Sequence, residues 1–239
     1  MRQSTARPAL GRLLSRMDSA AFALPAPLCG PVYETILGNA RAQKTFLALS
    51  WMASSTLRDG VTARFRAPLW EVTAAAGFER MSGNAPVREG VEALRDATWL
   101  PADMAEPRRL FDVVDITQDE SRPFVEWIFE ERLAQMFAAP SQYALLDIRD
   151  LAVLNTSVEV MLYIQMRHIW KRKYRRLALD EPTLRRLCDA PRHPYKRLVE
   201  RVRRTKFRLE GVLGEEISIS PLPGRPAGSG VLLEPRGAA

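Results

Sequence analysis

Between residues 195 and 209 arginine recurs with a helical rhythm. Arg197, Arg201, Arg204 and Arg208 stand at i, i+4, i+7 and i+11, flanked by Lys196 and Arg203. At the angular step of a helix, Tyr195, Leu198, Val199, Val202 and Leu209 fall in one narrow sector. The segment therefore reads as a helix with one apolar face and a cationic face opposite. Guanidinium groups in such a row can donate in pairs to guanine O6 and N7 in a DNA major groove, while their neighbours neutralise phosphates. Only Glu200 interrupts the row with an acid, which argues against a basic helix that is merely solvated. Phe207 falls on the polar face, where it could end the helix, pack on a neighbouring element or touch a thymine methyl.

A second group, Lys171, Arg172, Lys173, Arg175 and Arg176, precedes this helix, with Arg185, Arg186 and Arg192 between them. These fit phosphate contacts, which need positive charge without exacting geometry; helix C-terminal cations in a solvated loop are the plainer alternative for residues 171–176. The chain carries a net charge of +7, but unevenly. Residues 32–140 hold 12 basic and 16 acidic side chains, whereas residues 165–210 hold 16 basic and 5 acidic. A surplus concentrated in this way costs self-repulsion unless a polyanion neutralises it, which points to nucleic acid ahead of an anionic membrane surface.

Several chemistries lack their residues. There is no G-x-x-x-x-G-K-[ST] loop for nucleotide hydrolysis. The two histidines, His168 and His193, cannot form the closely spaced pair of a metal-dependent nickase, and Cys188 with His193 makes a poor zinc site. Tyr163, Tyr174 and Tyr195 have no evident base beside them. The expectation is a protein that is not an enzyme and uses no cofactor or metal. No apolar run is long enough to span a membrane, and the N-terminal residues mix arginine with proline in place of a signal core. With only Cys29 and Cys188, both read as free thiols, this suggests a cytoplasmic protein.

The elements that would position the basic helix occur twice. Residues 1–31, rich in proline and without periodicity, read as a flexible arm. Helices are expected at 42–54, at 67–76 with Pro68 in the first turn, and from a cap at Asn84 to about 98. Strands at 110–117 and 124–133 then form a hairpin. After a break at 138–142, Thr156 and Glu159 have capping-box spacing before a long helix through Trp170. Helices at 180–189 and 195–209 follow, then a hairpin of 216–220 with 231–233, or a tail. The fold class is α+β, mainly helical: a winged-helix domain at 32–140 and a second at 141–235. The first carries Arg88, Glu89, Glu92, Arg95 and Asp96 on its third helix, a mixed face fit for a minor DNA contact, and its apolar hairpin offers an edge for dimerisation.

The run from Tyr143 to Phe207, with its Leu-x-x-L step at Leu184 and Leu187, resembles the C-terminal winged helix of iteron-binding plasmid replication initiators. The stretches RLFDVVDITQ and FVEWIFEERLAQMF are similar to that family's N-terminal strand pair. The resemblance implies a protein that binds direct repeats of double-stranded DNA at a plasmid origin. It also implies repression of its own gene as a homodimer through the first domain, and recruitment of a host replicative helicase or initiator. A winged-helix transcriptional regulator without a replication role is the alternative. The DNA-binding residues expected on this basis are Lys171, Arg172, Lys173, Arg192, Lys196, Arg197, Arg201, Arg203, Arg204 and Arg208.

Overall fold

The computed structural model describes residues 8–17, 19–29, 36, 38–58, 63–79, 83–100, 104–119, 122–140, 142–170, 175–224, 226 and 228–236. The chain enters through helix α1 (Pro8–Leu14), strand β1 (Ala21–Pro25) and a 3-10 turn at Ala26–Cys29. Residues 8–17 and 19–29 are thus not the flexible arm that their composition suggests. Leu10, Leu13, Phe22, Leu24, Leu28 and Cys29 are all buried. Their order comes from distant partners that local composition does not reveal. β1 pairs antiparallel with Tyr143–Asp147, the Leu10 N–H donates to Glu79 Oε1 at 2.8 Å, and Trp51 Nε1 donates to the Ser19 carbonyl at 2.9 Å.

The first repeat comprises helix α2 (Ala40–Arg58), strand β2 (Phe65–Pro68), and helices α3 (Leu69–Ala75) and α4 (Ala85–Arg95). A small strand pair, β3 (Thr98–Trp99) and β4 (Arg108–Arg109), leads into the hairpin of β5 (Phe111–Asp119) and β6 (Arg122–Phe129). Pro68 caps α3 from the end of a strand instead of sitting inside the helix. The second hairpin strand stops at Phe129, because the Glu130 carboxylate accepts from the Leu133 N–H and opens helix α5 (Glu131–Ala138). Phe46, Phe65, Phe111, Trp127, Phe129 and Phe137 meet as stacked and edge-on rings between α2, the sheet and α5. Most of the apolar side chains of the hairpin are therefore core.

Strand β7 (Tyr143–Asp147) and helix α6 (Ile148–Val153) join the repeats. The second consists of helix α7 (Ser157–Ile169), strand β8 (Leu177–Asp180), helices α8 (Glu181–Leu187) and α9 (Tyr195–Leu213), and strands β9 (Ile217–Pro221) and β10 (Gly230–Pro235). The C-terminal stretch is thus a hairpin. Both three-stranded sheets share one topology, β2-β6-β5 and β8-β10-β9, in which the strand after the first helix pairs with the last strand. Helix, strand, helix, helix and hairpin recur in the same order, so the chain is a tandem of two winged helices.

The two repeats share a continuous apolar core. α2 packs on α5, α6 and α7. Lys44, only 3% exposed, carries its ammonium across to the Leu154 carbonyl at 2.8 Å and over the Phe78 ring. Gly77, in the left-handed region at φ 71°, brings the end of α3 against α6 so closely that a Cβ there would lie 2.5 Å from the Ala152 Cα.

Candidate nucleic-acid interface

α9 begins after Pro194 and runs four residues beyond its expected end, stopping where Gly214 adopts φ 78°. Leu198, Val202, Thr205 and Leu209 are buried and hold the helix against α7 and α8. The Tyr195 hydroxyl donates to the Gly230 carbonyl at 2.7 Å, which ties the start of α9 to the hairpin.

The four arginines of the row do not behave alike. Arg201 turns inward and donates to the Cys188 carbonyl at 2.6 Å, at the end of α8. Arg208 reaches the carboxylate of Glu159 at 2.8 Å. Glu159 is 3% exposed and completes the capping box of α7, also accepting from the Asn155 and Thr156 N–H groups at 2.6 and 3.0 Å. Arg197 and Arg204 are exposed and, with Lys196, Arg203 and Arg192, make no ion pair or hydrogen bond among the described residues. The cause is angular: Arg201 and Arg208 lie beside the buried sector of α9, within reach of neighbouring helices, whereas Lys196 and Arg203 lie on its outer surface. Lys171, Arg172 and Lys173 fall outside the described residues.

Other cations of the second repeat are engaged. Arg175 pairs with Glu215, Arg176 with Glu234 at 3.1 Å, and Lys206 with Glu210 at 3.4 Å. Arg185 pairs with Glu181 and donates to the Pro191 and His193 carbonyls at 2.8 Å each, clasping the turn between α8 and α9. Arg185 therefore positions the start of α9.

Two features of α9 beyond the arginine row stand out. Phe207 is 86% exposed, with helix continuing on either side, so it neither ends the element nor packs on a neighbour. Glu200 is surrounded in sequence by cations, yet no ion pair engages it among the described residues. Lys196, Glu200, Arg203 and Phe207 follow one another at i, i+4, i+7 and i+11 on the side of the helix opposite Leu198, where Lys196, Arg203 and Phe207 are exposed and Glu200 is partly exposed; this is the outer line of the helix. A helical wheel alone could have located this line, since Phe207 lies about half a turn from Leu198.

α4, the counterpart of α9 in the first repeat, has compensated charge. Arg95 is held by Glu92 and Asp115, and the hydrogen bond to Asp115 raises its pKa further. Glu89 pairs with Arg41, which leaves Arg88 as the unpaired cation of that helix among the described residues.

Neither Tyr163 nor Tyr195 is placed as a nucleophile. Tyr163 is fully buried and donates to Asp150 at 2.8 Å, and burial pushes its hydroxyl well above the usual range. Tyr195 is engaged with Gly230 as described, and Tyr174 lies outside the described residues. Among the described residues no group of His, Cys, Asp or Glu could hold a metal ion, and no helix is long and apolar enough to cross a membrane. Cys29 and Cys188 are free and buried.

No protein-family model matches the chain, and no curated protein matches it either. Among solved structures the chain is similar to a Pi initiator protein in complex with iteron DNA. The TM-score is 0.65 over 91% of this chain and 97% of that one, at 10% sequence identity. The tandem winged-helix fold is thereby shared along almost the whole of both chains.

Proposed function

We propose that this protein is a plasmid replication initiator that binds repeated double-stranded DNA sites at an origin, with α9 as its principal DNA-binding helix. The observation that carries the reading is the set of unpaired cations on α9. Lys196, Arg197, Arg203 and Arg204 stand exposed on the third helix of a winged helix, the element that this motif inserts into a major groove. Four side chains left without acids among the described residues, where Arg201 is held by a carbonyl and Arg208 by a carboxylate, are suited to phosphates and guanine edges. The fold shared with an initiator bound to iteron DNA supports the same reading.

On this proposal residues 141–235 are the principal DNA-binding domain, with Arg192 and Lys171 to Lys173 adding phosphate contacts. Residues 32–140 serve dimerisation and a lesser DNA contact, for which Arg88 is available. The protein acts in the cytoplasm without catalysis of its own: it melts or marks the origin and recruits a host helicase or initiator. It also represses its own gene as a homodimer. The test is to capture plasmid and genomic fragments on the purified protein and sequence them. Tandem direct repeats beside a replication origin are the expected result; fragments without repeats, or binding indifferent to sequence, would overturn it.

A further inference from the structure

A helix face built only to neutralise phosphates would hold cations and small polar residues. The outermost line of α9 holds two side chains unsuited to that task. Glu200 is negative and would be repelled by a phosphate, and Phe207 is apolar and 86% exposed. Lone exposed hydrophobes are ordinary on protein surfaces, but the other large exposed ones here range from 41% to 48%, and none lies on α9. A protein-docking patch would be expected to surround Phe207 with further apolar surface; its neighbours one turn back are instead Arg203 and Arg204, both unpaired among the described residues.

Both residues have base partners of matching chemistry in a major groove. A carboxylate accepts from the exocyclic N4 amine of cytosine, and an aromatic ring packs on the 5-methyl group of thymine. The groove is about 12 Å wide and admits a helix along its axis, with the outermost line deepest and the flanks beside the strands. Arg197 and Arg204 lie on one flank of that line, where the phosphates would run. Glu200 and Phe207 are seven residues apart, about 10 Å along the helix axis. At about 3.4 Å per base-pair step, that length covers about three steps.

We propose that Glu200 and Phe207 are specificity-determining residues that read two pyrimidines about three base-pair steps apart, Glu200 a cytosine and Phe207 a thymine. The inference rests on α9 being the DNA-reading helix, as proposed above. It predicts that sequence preference comes in part from the non-cationic residues of a strongly cationic helix.

The experiment selects binding sites from a random duplex pool with the full chain and with Glu200→Gln and Phe207→Ala. Both positions lack intramolecular partners among the described residues, so the variants should keep the parent's circular dichroism and unfolding midpoint. The parent should select a site with a fixed cytosine and a fixed thymine at that spacing. Replacing the thymine by deoxyuridine, which lacks only the methyl group, should weaken the parent about three- to four-fold. Phe207→Ala should bind the two duplexes equally, and Glu200→Gln should lose the cytosine preference alone. The salt dependence of binding should be the same for all three proteins, because neither residue meets a phosphate. A parent indifferent to deoxyuridine, or variants that retain both preferences, would overturn this inference and leave the origin-binding reading intact. A parent that selects no site at all would overturn both.

Discussion

Replacing Arg208 by Ala separates structural from DNA-binding arginines, because the two roles leave different signatures. Its guanidinium meets the Glu159 carboxylate at 2.8 Å, with Glu159 3% exposed and the Arg208 side chain 45% exposed. A hydrogen bond to a charged group contributes about 1.5 to 3 kcal/mol, but the half-exposed arginine is screened by water and the pair belongs at or below the low end of that range. Glu159 would also keep the Asn155 and Thr156 N–H groups, so its charge would not be stranded. The expected loss is about 1 to 1.5 kcal/mol, or about 2–6 °C in Tm for a chain of this size. Urea unfolding gives the stability change, and a double-mutant cycle with Glu159→Gln should return a coupling of about 1 kcal/mol. Titration of a specific duplex at several salt concentrations supplies the second reading. Arg204→Ala should leave stability unchanged and reduce the slope of log affinity against log salt by about one, whereas Arg208→Ala should leave that slope unaltered. The reasoning fails if Arg208→Ala is as stable as the parent and lowers the slope as Arg204→Ala does.

Leu24→Ala, in β1, should cost about 3 kcal/mol in urea unfolding, since Leu24 is fully buried; a loss under about 0.5 kcal/mol would mean that the segment behaves as an arm after all. Gly77→Ala combines a positive φ with a Cβ placed 2.5 Å from the Ala152 backbone, and should destabilise by at least about 2 kcal/mol; a midpoint equal to the parent's would refute the close approach of α3 and α6. Burial raises the Cys29 thiol from 9.0 to about 12, so folding favours the protonated form. The stabilisation is complete below pH 9 and is lost as pH rises from 9 toward 12, and Cys29→Ala should flatten that part of the stability profile. An unchanged slope in the variant would contradict the burial of the thiol.

The parts legible in the sequence were those whose signals are local. The capping box of Thr156 and Glu159 and the amphipathic period of α9 are written within single elements, and both are present in the structure. β2 and β8 went unread because each is four residues long and acquires its identity from a hairpin far downstream. The same applies to β1, whose proline at Pro25 looked like a loop signal but ends a paired strand. At the candidate interface the wheel grouped Arg201 and Arg208 with Arg197 and Arg204, because it represents α9 without its neighbours. It cannot indicate that the Cys188 carbonyl and the Glu159 carboxylate stand within reach of two of the four. The same wheel did contain Phe207 and Glu200, but their meaning depends on being unpartnered, which is a property of the assembled fold.

The pairing of β1 with β7 orders events in time. On a ribosome, residues 21–25 are made before the whole of the first winged helix, and their partners at 143–147 only after it. At about 5–20 residues per second, the early strand waits on the order of ten seconds for its hydrogen-bonding partner, although α2 and α5, on which it also packs, are made earlier, whereas a local hairpin closes in about 1–10 μs. The first winged helix can assemble its aromatic core during that interval, but the strand that ties it to the second cannot pair until synthesis is well into the second half. The seam between the repeats is therefore the last part of the first half to close, and a chain stalled before residue 143 would present an unpaired apolar strand to its neighbours.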